Sequence, residues 1–245
     1  MIEKKEIILE GITFDIYKNN SLQPKHLLFF FHGFTANRFD GNNHIKALVD
    51  TSAIVIAGDA YFHGERERAS FKSLTPANKQ REIINIVIKT AQEIKYFYNK
   101  YCSLYPGGNS LPLTAYGVSM GAAIALYLGT IMSELKTIVS IVGSPSFCDF
   151  YKYKQQRYSF LKDDYFNINL NSYKKEDPLE KYQLLQGKNI FLSGGVDDEI
   201  VPMIYAKELA RKLKSSNVIF KKYNIGHAST KEMLNDSYEF IKKYN

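Results

Sequence analysis

"AYGVSMGAAIAL", residues 115–126, decides how this chain folds. Ser119 stands between Gly117 and Gly121; an apolar run ends at it and a small-residue, helix-like run starts at Met120. A serine at such a junction is held in a tight strand-to-helix turn, its hydroxyl exposed at the carboxyl end of a sheet and a helix N-terminus behind it. The glycines have a mechanical purpose, because a side chain at 117 or 121 would collide with the neighbouring strand or helix as the turn folds back. The plainer alternative is a buried structural turn serine. A chance G-x-S-x-G is expected about 0.1 times in a chain of this length, so the placement between strand and helix argues for a nucleophile as much as the pattern does.

Outward from this turn the chain alternates. Apolar runs of strand length occur at 25–33 (KHLLFFFHG), 52–60, 111–119, 135–144, 187–195 and 217–226. Runs that are apolar on both faces suit a parallel sheet covered from both sides. Helical spacing appears between them, at 78–101, 120–132, 202–216 and 229–245, with 120–132 apolar almost all round and so expected to be the most buried helix. "KEIILEGITFDIY" reads as an opening hairpin around Gly11. The expectation is a doubly wound α/β fold: a mostly parallel sheet with helices on both faces, one domain over 1–245.

One stretch breaks the alternation. Residues 145–186 are rich in Tyr, Phe, Lys and Asn with weak periodicity. Over 150–176 there are six Lys/Arg (152, 154, 157, 162, 174, 175) against three Asp/Glu (163, 164, 176). Long insertions in a tightly folded domain are usually functional, so this segment is expected to be a small helical lid over an aromatic-lined pocket.

The composition narrows the function classes. Hydrophobic residues make up 45% and charged residues 23% of 245, enough for a sizeable core and against disorder. The net charge is +7 and the pI about 9.1, yet the lysines are scattered and no basic block or nucleic-acid motif accompanies them. Nucleic acid and membrane are therefore not expected partners; a small molecule is. Cys102 and Cys148 have no metal-type spacing and are expected as reduced, partly buried thiols. The first residues contain no apolar signal region, and no run approaches the length of a membrane span, so a cytoplasmic protein is expected.

A serine hydroxyl needs a base, and the base needs an orienter. "YNIGHAST" (223–230) supplies His227, the one histidine after Ser119, between the last strand and the last helix. "FLSGGVDDEIVP" (191–202) supplies the acid: Asp197, Asp198 or Glu199, one of which is free to cap the next helix. The oxyanion donors are expected to be the N–H groups of Met120 and of Phe34, just beyond His32-Gly33. His32 itself is read as a loop brace. In "YFHGERER" (61–68), His63 and Arg66 are candidate substrate contacts, His63 at the floor of an acyl pocket and Arg66, or Arg68 in its place, toward an anionic group. His32, His44, His63 and Asp59 match no metal-ligand spacing, so no metal or other cofactor is expected.

At these residues the chain resembles the α/β-hydrolase superfamily, nearest the small bacterial serine esterases of its dienelactone-hydrolase and prolyl-oligopeptidase-like branch. The matching pieces are "FFFHGFTANR" (29–38), "DAYFHGERE" (59–67), "YGVSMGAA" (116–123), "IVGSP" (141–145), "SGGVDDEIVP" (193–202) and "IGH" (225–227), in the order of that family. The resemblance implies Ser119 as nucleophile, His227 as base, Asp198 as orienter, and oxyanion donors at Phe34 and Met120. Dienelactone hydrolase itself uses a cysteine where this chain has Ser119, so the likeness points to hydrolysis of a small carboxylic ester and away from dienelactone chemistry. Peptidase, thioesterase or deacetylase activity on the same triad is the alternative within the class. Outside it stands a ligand-binding protein that keeps the fold without turnover.

Overall fold

The structure, a computed structural model, describes residues 1–101, 110–215 and 217–245, with the side chains of Asn42 and Asn43 left aside. Cys102 lies outside the described residues. Among those described, no helix is long and apolar enough to cross a membrane.

Eight strands form one sheet: β1 (Ile2–Leu9), β2 (Ile12–Asn19), β3 (His26–Phe31), β4 (Ala53–Gly58), β5 (Leu113–Val118), β6 (Leu135–Ile141), β7 (Asn189–Gly195) and β8 (Val218–Tyr223), in the order β1-β2-β4-β3-β5-β6-β7-β8. The first two form the expected hairpin, and β2 pairs antiparallel with β4; all other pairs are parallel. Glu10 and Gly11 both have positive φ, 51° and 78°, as the tightest hairpin turn requires.

The central strands are buried on both faces, and their side chains alternate between two cores. In β3, Leu27, Phe29 and Phe31 face one core while Leu28 and Phe30 face the other. The second core is covered by α1 (Asn42–Val49), with Ile45, Leu48 and Val49, and by α9 (Lys231–Tyr244), with Met233, Phe240 and Ile241. The first is covered by α4 (Ile83–Tyr101), α5 (Met120–Ile131) and α8 (Ile204–Leu213). As expected, α5 is the most buried: every residue from Met120 to Thr130 is enclosed.

Two details differ from the sequence reading. The 78–101 helix begins earlier and breaks once. Thr75 caps a short α3 (Pro76–Arg81) by accepting from the Asn78 amide at 3.2 Å, with Pro76 in the first turn, and α4 starts only at Ile83. And α1 has no counterpart in the sequence reading, because four apolar residues crowded into its last five positions give too short a pattern to register. A four-residue α2 (Ala69–Lys72) precedes α3.

Between β6 and β7 the 145–186 segment folds as α6 (Phe147–Tyr158), α7 (Asp164–Glu176) and a 3-10 turn at Tyr182–Leu185. Its neck is clasped by one buried carboxylate. Asp177 Oδ2 accepts from the amides of Phe147 and Cys148, both at 2.9 Å, filling the N-terminus of α6, while its Oδ1 accepts from Leu179 N–H at 2.9 Å. Burial pushes the Asp177 carboxyl up despite those bonds. The aromatics of this segment mostly pack on one another: Tyr151 stacks on Phe166 at 4.9 Å and meets Tyr173 edge-on at 5.0 Å. Cys148 is a half-buried free thiol whose pKa burial pushes up to about 12.

Candidate active site

Ser119 sits between β5 and α5 at φ 57°, ψ −115°, a conformation that L-residues rarely adopt. Such a residue costs about 1–3 kcal/mol and persists only where its surroundings over-determine it. Here they do. The Ser119 amide donates to the Ile141 carbonyl at 2.8 Å, fixing the turn to the neighbouring strand. The glycines act as the sequence suggests. A Cβ on Gly117 would stand 2.0 Å from the Gly121 carbonyl oxygen, and one on Gly121 would stand 2.1 Å from that of Phe31. Thr35, which lines the same cavity, also has positive φ, 68°.

His227 follows β8 and Asp198 follows β7. The two loops are joined by backbone bonds, Val196 N–H to Tyr223 O at 2.8 Å and Asp197 N–H to Ile225 O at 3.1 Å. His227 Nε2 lies 2.8 Å from Ser119 Oγ, and His227 Nδ1 lies 2.8 Å from Asp198 Oδ2. A carboxylate opposite Nδ1 assigns the proton there, leaving Nε2 to accept from the serine hydroxyl. Asp198 Oδ1 accepts from the amides of Ile200 and Val201, both at 2.9 Å. Burial alone would raise the Asp198 carboxyl, but the bonds from His227, Val201 and Ile200 outweigh it and hold the pKa below its ordinary value. Of the three acidic candidates, Asp198 is the one that reaches the histidine. Asp197 is exposed, and Glu199 turns outward to Arg157 at 3.6 Å.

The amides of Met120 and Phe34 both belong to residues that line the cavity beside Ser119. Among the described residues, neither amide has a hydrogen-bond acceptor. The Phe34 loop is held from behind by two devices. His32 donates from Nδ1 to Gly33 O at 2.8 Å and accepts the Ala60 amide on Nε2 at 3.0 Å, so both ring nitrogens are used in bracing. Burial lowers its pKa to about 4, which keeps it neutral. The second device went unread in the sequence. Arg38, only 1% exposed, is gripped by Asp15 at 3.3 Å, Asp59 at 2.7 Å and Glu65 at 2.7 Å, and its own amide donates to Asp59 Oδ1 at 2.8 Å. This ties the loop carrying Phe34 to β2 and to the residues after β4.

The two candidate contacts in 61–68 do not reach the cavity. His63 is buried one layer back, its ring 5.3 Å from that of Phe34 and its Nδ1 2.9 Å from Tyr61 O. Arg66 points elsewhere, to Glu93 at 2.7 Å and Asp59 O at 3.1 Å, so its charge is already satisfied. Asp59 is taken up by Arg38, and among the described residues no three His, Cys, Asp or Glu side chains gather in a metal-holding group.

The cavity in front of Ser119 measures about 450 Å³. Its sheet-side wall is Phe34, Thr35, Ser119, Met120 and His227; Ile83, Ile84 and Val87 of α4 add an aliphatic side. A second wall comes from α3 (Lys79, Gln80) and α6 (Phe150, Lys154). The expectation of an aromatic-lined pocket is corrected here. Of the aromatics in 145–186 only Phe150 lines the cavity, because Tyr151, Phe166 and Tyr173 are spent on the core of the segment itself. What that segment brings instead is Lys154, 2% exposed. Its ammonium lies 4.8 Å from the Phe150 ring centroid and 5.2 Å from that of Tyr158. Burial lowers its pKa from 10.5 to about 8.

Comparison with known proteins agrees with this architecture. The chain resembles TT1662 from Thermus thermophilus (TM-score 0.77, 19% identity, covering 100% of this chain and 98% of that one). It also resembles acetyl xylan esterase 1 from Thermoanaerobacterium sp. JW/SL YS485 (TM-score 0.68, 16% identity, 99% and 87%). In sequence it is 24% identical over 230 residues to the Bacillus subtilis (strain 168) protein named "Putative esterase YitV", covering 88% of this chain and 86% of that protein. The fold is that of the α/β-hydrolases. The family described as "BAAT / Acyl-CoA thioester hydrolase C terminal" matches residues 92–228, a span that takes in Ser119, Asp198 and His227. With more than half its length inside that match, the chain belongs to this hydrolase family.

Proposed function

We propose that the protein is a serine hydrolase that cleaves small carboxylic esters through an acyl-enzyme. The observation that carries this reading is the unbroken hydrogen-bond chain from Ser119 Oγ through His227 to Asp198, 2.8 Å at each step, at the mouth of a cavity. Ser119 Oγ attacks the ester carbonyl as His227 Nε2 takes its proton. The oxyanion is received by the Met120 and Phe34 amides. Collapse breaks the bond to the alcohol, which leaves with the proton from His227. Water, deprotonated by the same imidazole, then attacks the acyl-serine and releases the acid. Asp198 keeps the proton on Nδ1 and stabilises the imidazolium between steps. The segment 145–186 acts as a cap, contributing Phe150 and Lys154 to the outer wall.

The family's description favours a second reading, thioester hydrolysis on the same residues. A thiol leaves with less help than an alcohol, since its pKa is near 8.5. Turnover of 4-nitrophenyl acetate and butyrate, set beside acetyl- and butyryl-CoA, separates the two readings by kcat/KM. A fluorophosphonate probe is expected to label Ser119. Unaltered hydrolysis in Ser119→Ala protein would refute both readings, and tight ligand binding without labelling would mark a non-catalytic binding protein.

A further inference from the structure

We infer that Lys154 forms an anion subsite, so that the ester taken by this cavity carries a carboxylate. The inference rests on the cavity beside Ser119 being the substrate site. Lys154 is enclosed, yet among the described residues no carboxylate pairs with it; its ammonium has only the two rings of Phe150 and Tyr158. A buried cation without an anion is costly, and such a group is normally paired.

The groups around it do not supply that anion. From its own helix it meets the like charge of Arg157, which is itself turned to Glu199. From α3, Lys79 lines the same cavity and adds a second ammonium, 5.3 Å from the Phe71 ring centroid. From the loop after β7 it feels Asp198, but both oxygens of that carboxylate already accept, one from His227 and one from the amides of Ile200 and Val201. The cavity is therefore lined by two ammonium groups and, among the described residues, by no carboxylate, and the nearby Asp198 is already committed. A substrate carboxylate would complete it, taking the ammonium of Lys154 in a charge-assisted hydrogen bond. Lys154 lines the same cavity as Ser119 but makes no hydrogen bond to Ser119, His227 or Asp198, so this group selects substrate and takes no part in the bond-breaking steps.

The test compares matched esters. Mono-4-nitrophenyl adipate and 4-nitrophenyl hexanoate differ by a carboxylate at the far end of the acyl chain; 4-acetoxybenzoate and phenyl acetate differ by one on the alcohol side. In one of these pairs the anion-to-neutral ratio of kcat/KM is expected to fall at least tenfold, about 1.4 kcal/mol, in Lys154→Met. In Lys175→Met, which removes an exposed charge from α7, the ratio should hold. A ratio unmoved by Lys154→Met in both pairs overturns the inference, as does a proportional fall of anionic and neutral esters, which would make the lysine a support of the triad. Binding is read apart from turnover by calorimetric titration of Ser119→Ala protein with the same esters, with and without Lys154→Met. The anion preference is expected there too, even if hydrolysis proves independent of Ser119, so a failed triad and a failed subsite give different results.

Discussion

The two walls of the cavity are built on opposite plans. On the sheet side the triad and its braces are committed: Ser119 to His227, His227 to Asp198, Asp198 to two amides, and His32 and Arg38 bracing from behind. On the wall formed by α3 and α6 Lys154 lacks a carboxylate and Gln80 Oε1 has no hydrogen-bond partner among the described residues. A site that must hold reacting atoms to a fraction of an ångström gains from complete internal bonding, since no reorganisation is then needed as charge develops. A surface that must recognise a ligand gains from groups left for the ligand to satisfy. The difference predicts that substitutions on the two walls will differ in kind: loss of rate or stability on one, change of preference on the other.

The largest effects should come from the chain of three. Ser119→Ala and His227→Ala are each expected to lower kcat on the order of 10⁶-fold, and the double variant no further, because the members act as a unit. Asp198→Asn should cost about 10⁴-fold, since an amide opposite Nδ1 favours the wrong imidazole tautomer. Single-turnover acylation of the three variants measures this. Independent, additive losses would break the reading of a committed wall.

Next comes the brace. Arg38→Met leaves the buried Asp59 without its cation and Asp15 with Lys4 alone, and removing one member of a buried ion pair costs about 3–5 kcal/mol. Denaturant unfolding should show that loss. The surviving folded protein should also be slower, because the loop that presents the Phe34 amide is anchored through Arg38. Full activity in a destabilised variant would show that the loop holds its position without the clamp.

The sequence made one wall legible and left the other largely hidden. Ser119, Asp198 and His227 each follow an apolar strand in a loop with glycine or a helix start, so local pattern alone put them at the same rim. Asp198 was separated from Asp197 and Glu199 only by resemblance; the structure brings it alone to His227, with the other two turned to the surface. Arg38 and Lys154 carry no such local mark. Arg38 takes partners from residues 15, 59 and 65, and Lys154 was one of six basic residues in a stretch of weak periodicity. That periodicity is weak for a reason. Helix α6 serves two apolar environments at once, with Tyr151 facing α7 and Phe150 the cavity, so no single polar face emerges. Composition announced the aromatics of residues 145–186 but not which way they point. Arg66 misled in the opposite sense: a cation near the right loop in sequence, already paired to Glu93 in space.

The smallest effect has the most telling sign. Lys154 has an ordinary pKa of 10.5 when unfolded and about 8 when folded, because burial disfavours its charged form. A folded pKa depressed in this way means that the folded state binds its proton less tightly. The charged lysine therefore costs stability fully below pH 8, and the cost fades as pH rises from about 8 toward 10.5. Lys154→Met, similar in length and without charge, should accordingly stabilise the protein on the order of 2 kcal/mol at pH 7. The gain should shrink above pH 8 in unfolding curves taken across that range. Over the same interval the wild-type preference for an anionic ester should decline, because the ammonium that receives the carboxylate loses its proton. Stability gained and selectivity lost by one substitution, over one pH window, is what a binding cation held at a folding cost must show. A lysine that merely packs against Phe150 and Tyr158 would give a stability change of the opposite sign and no drift in preference.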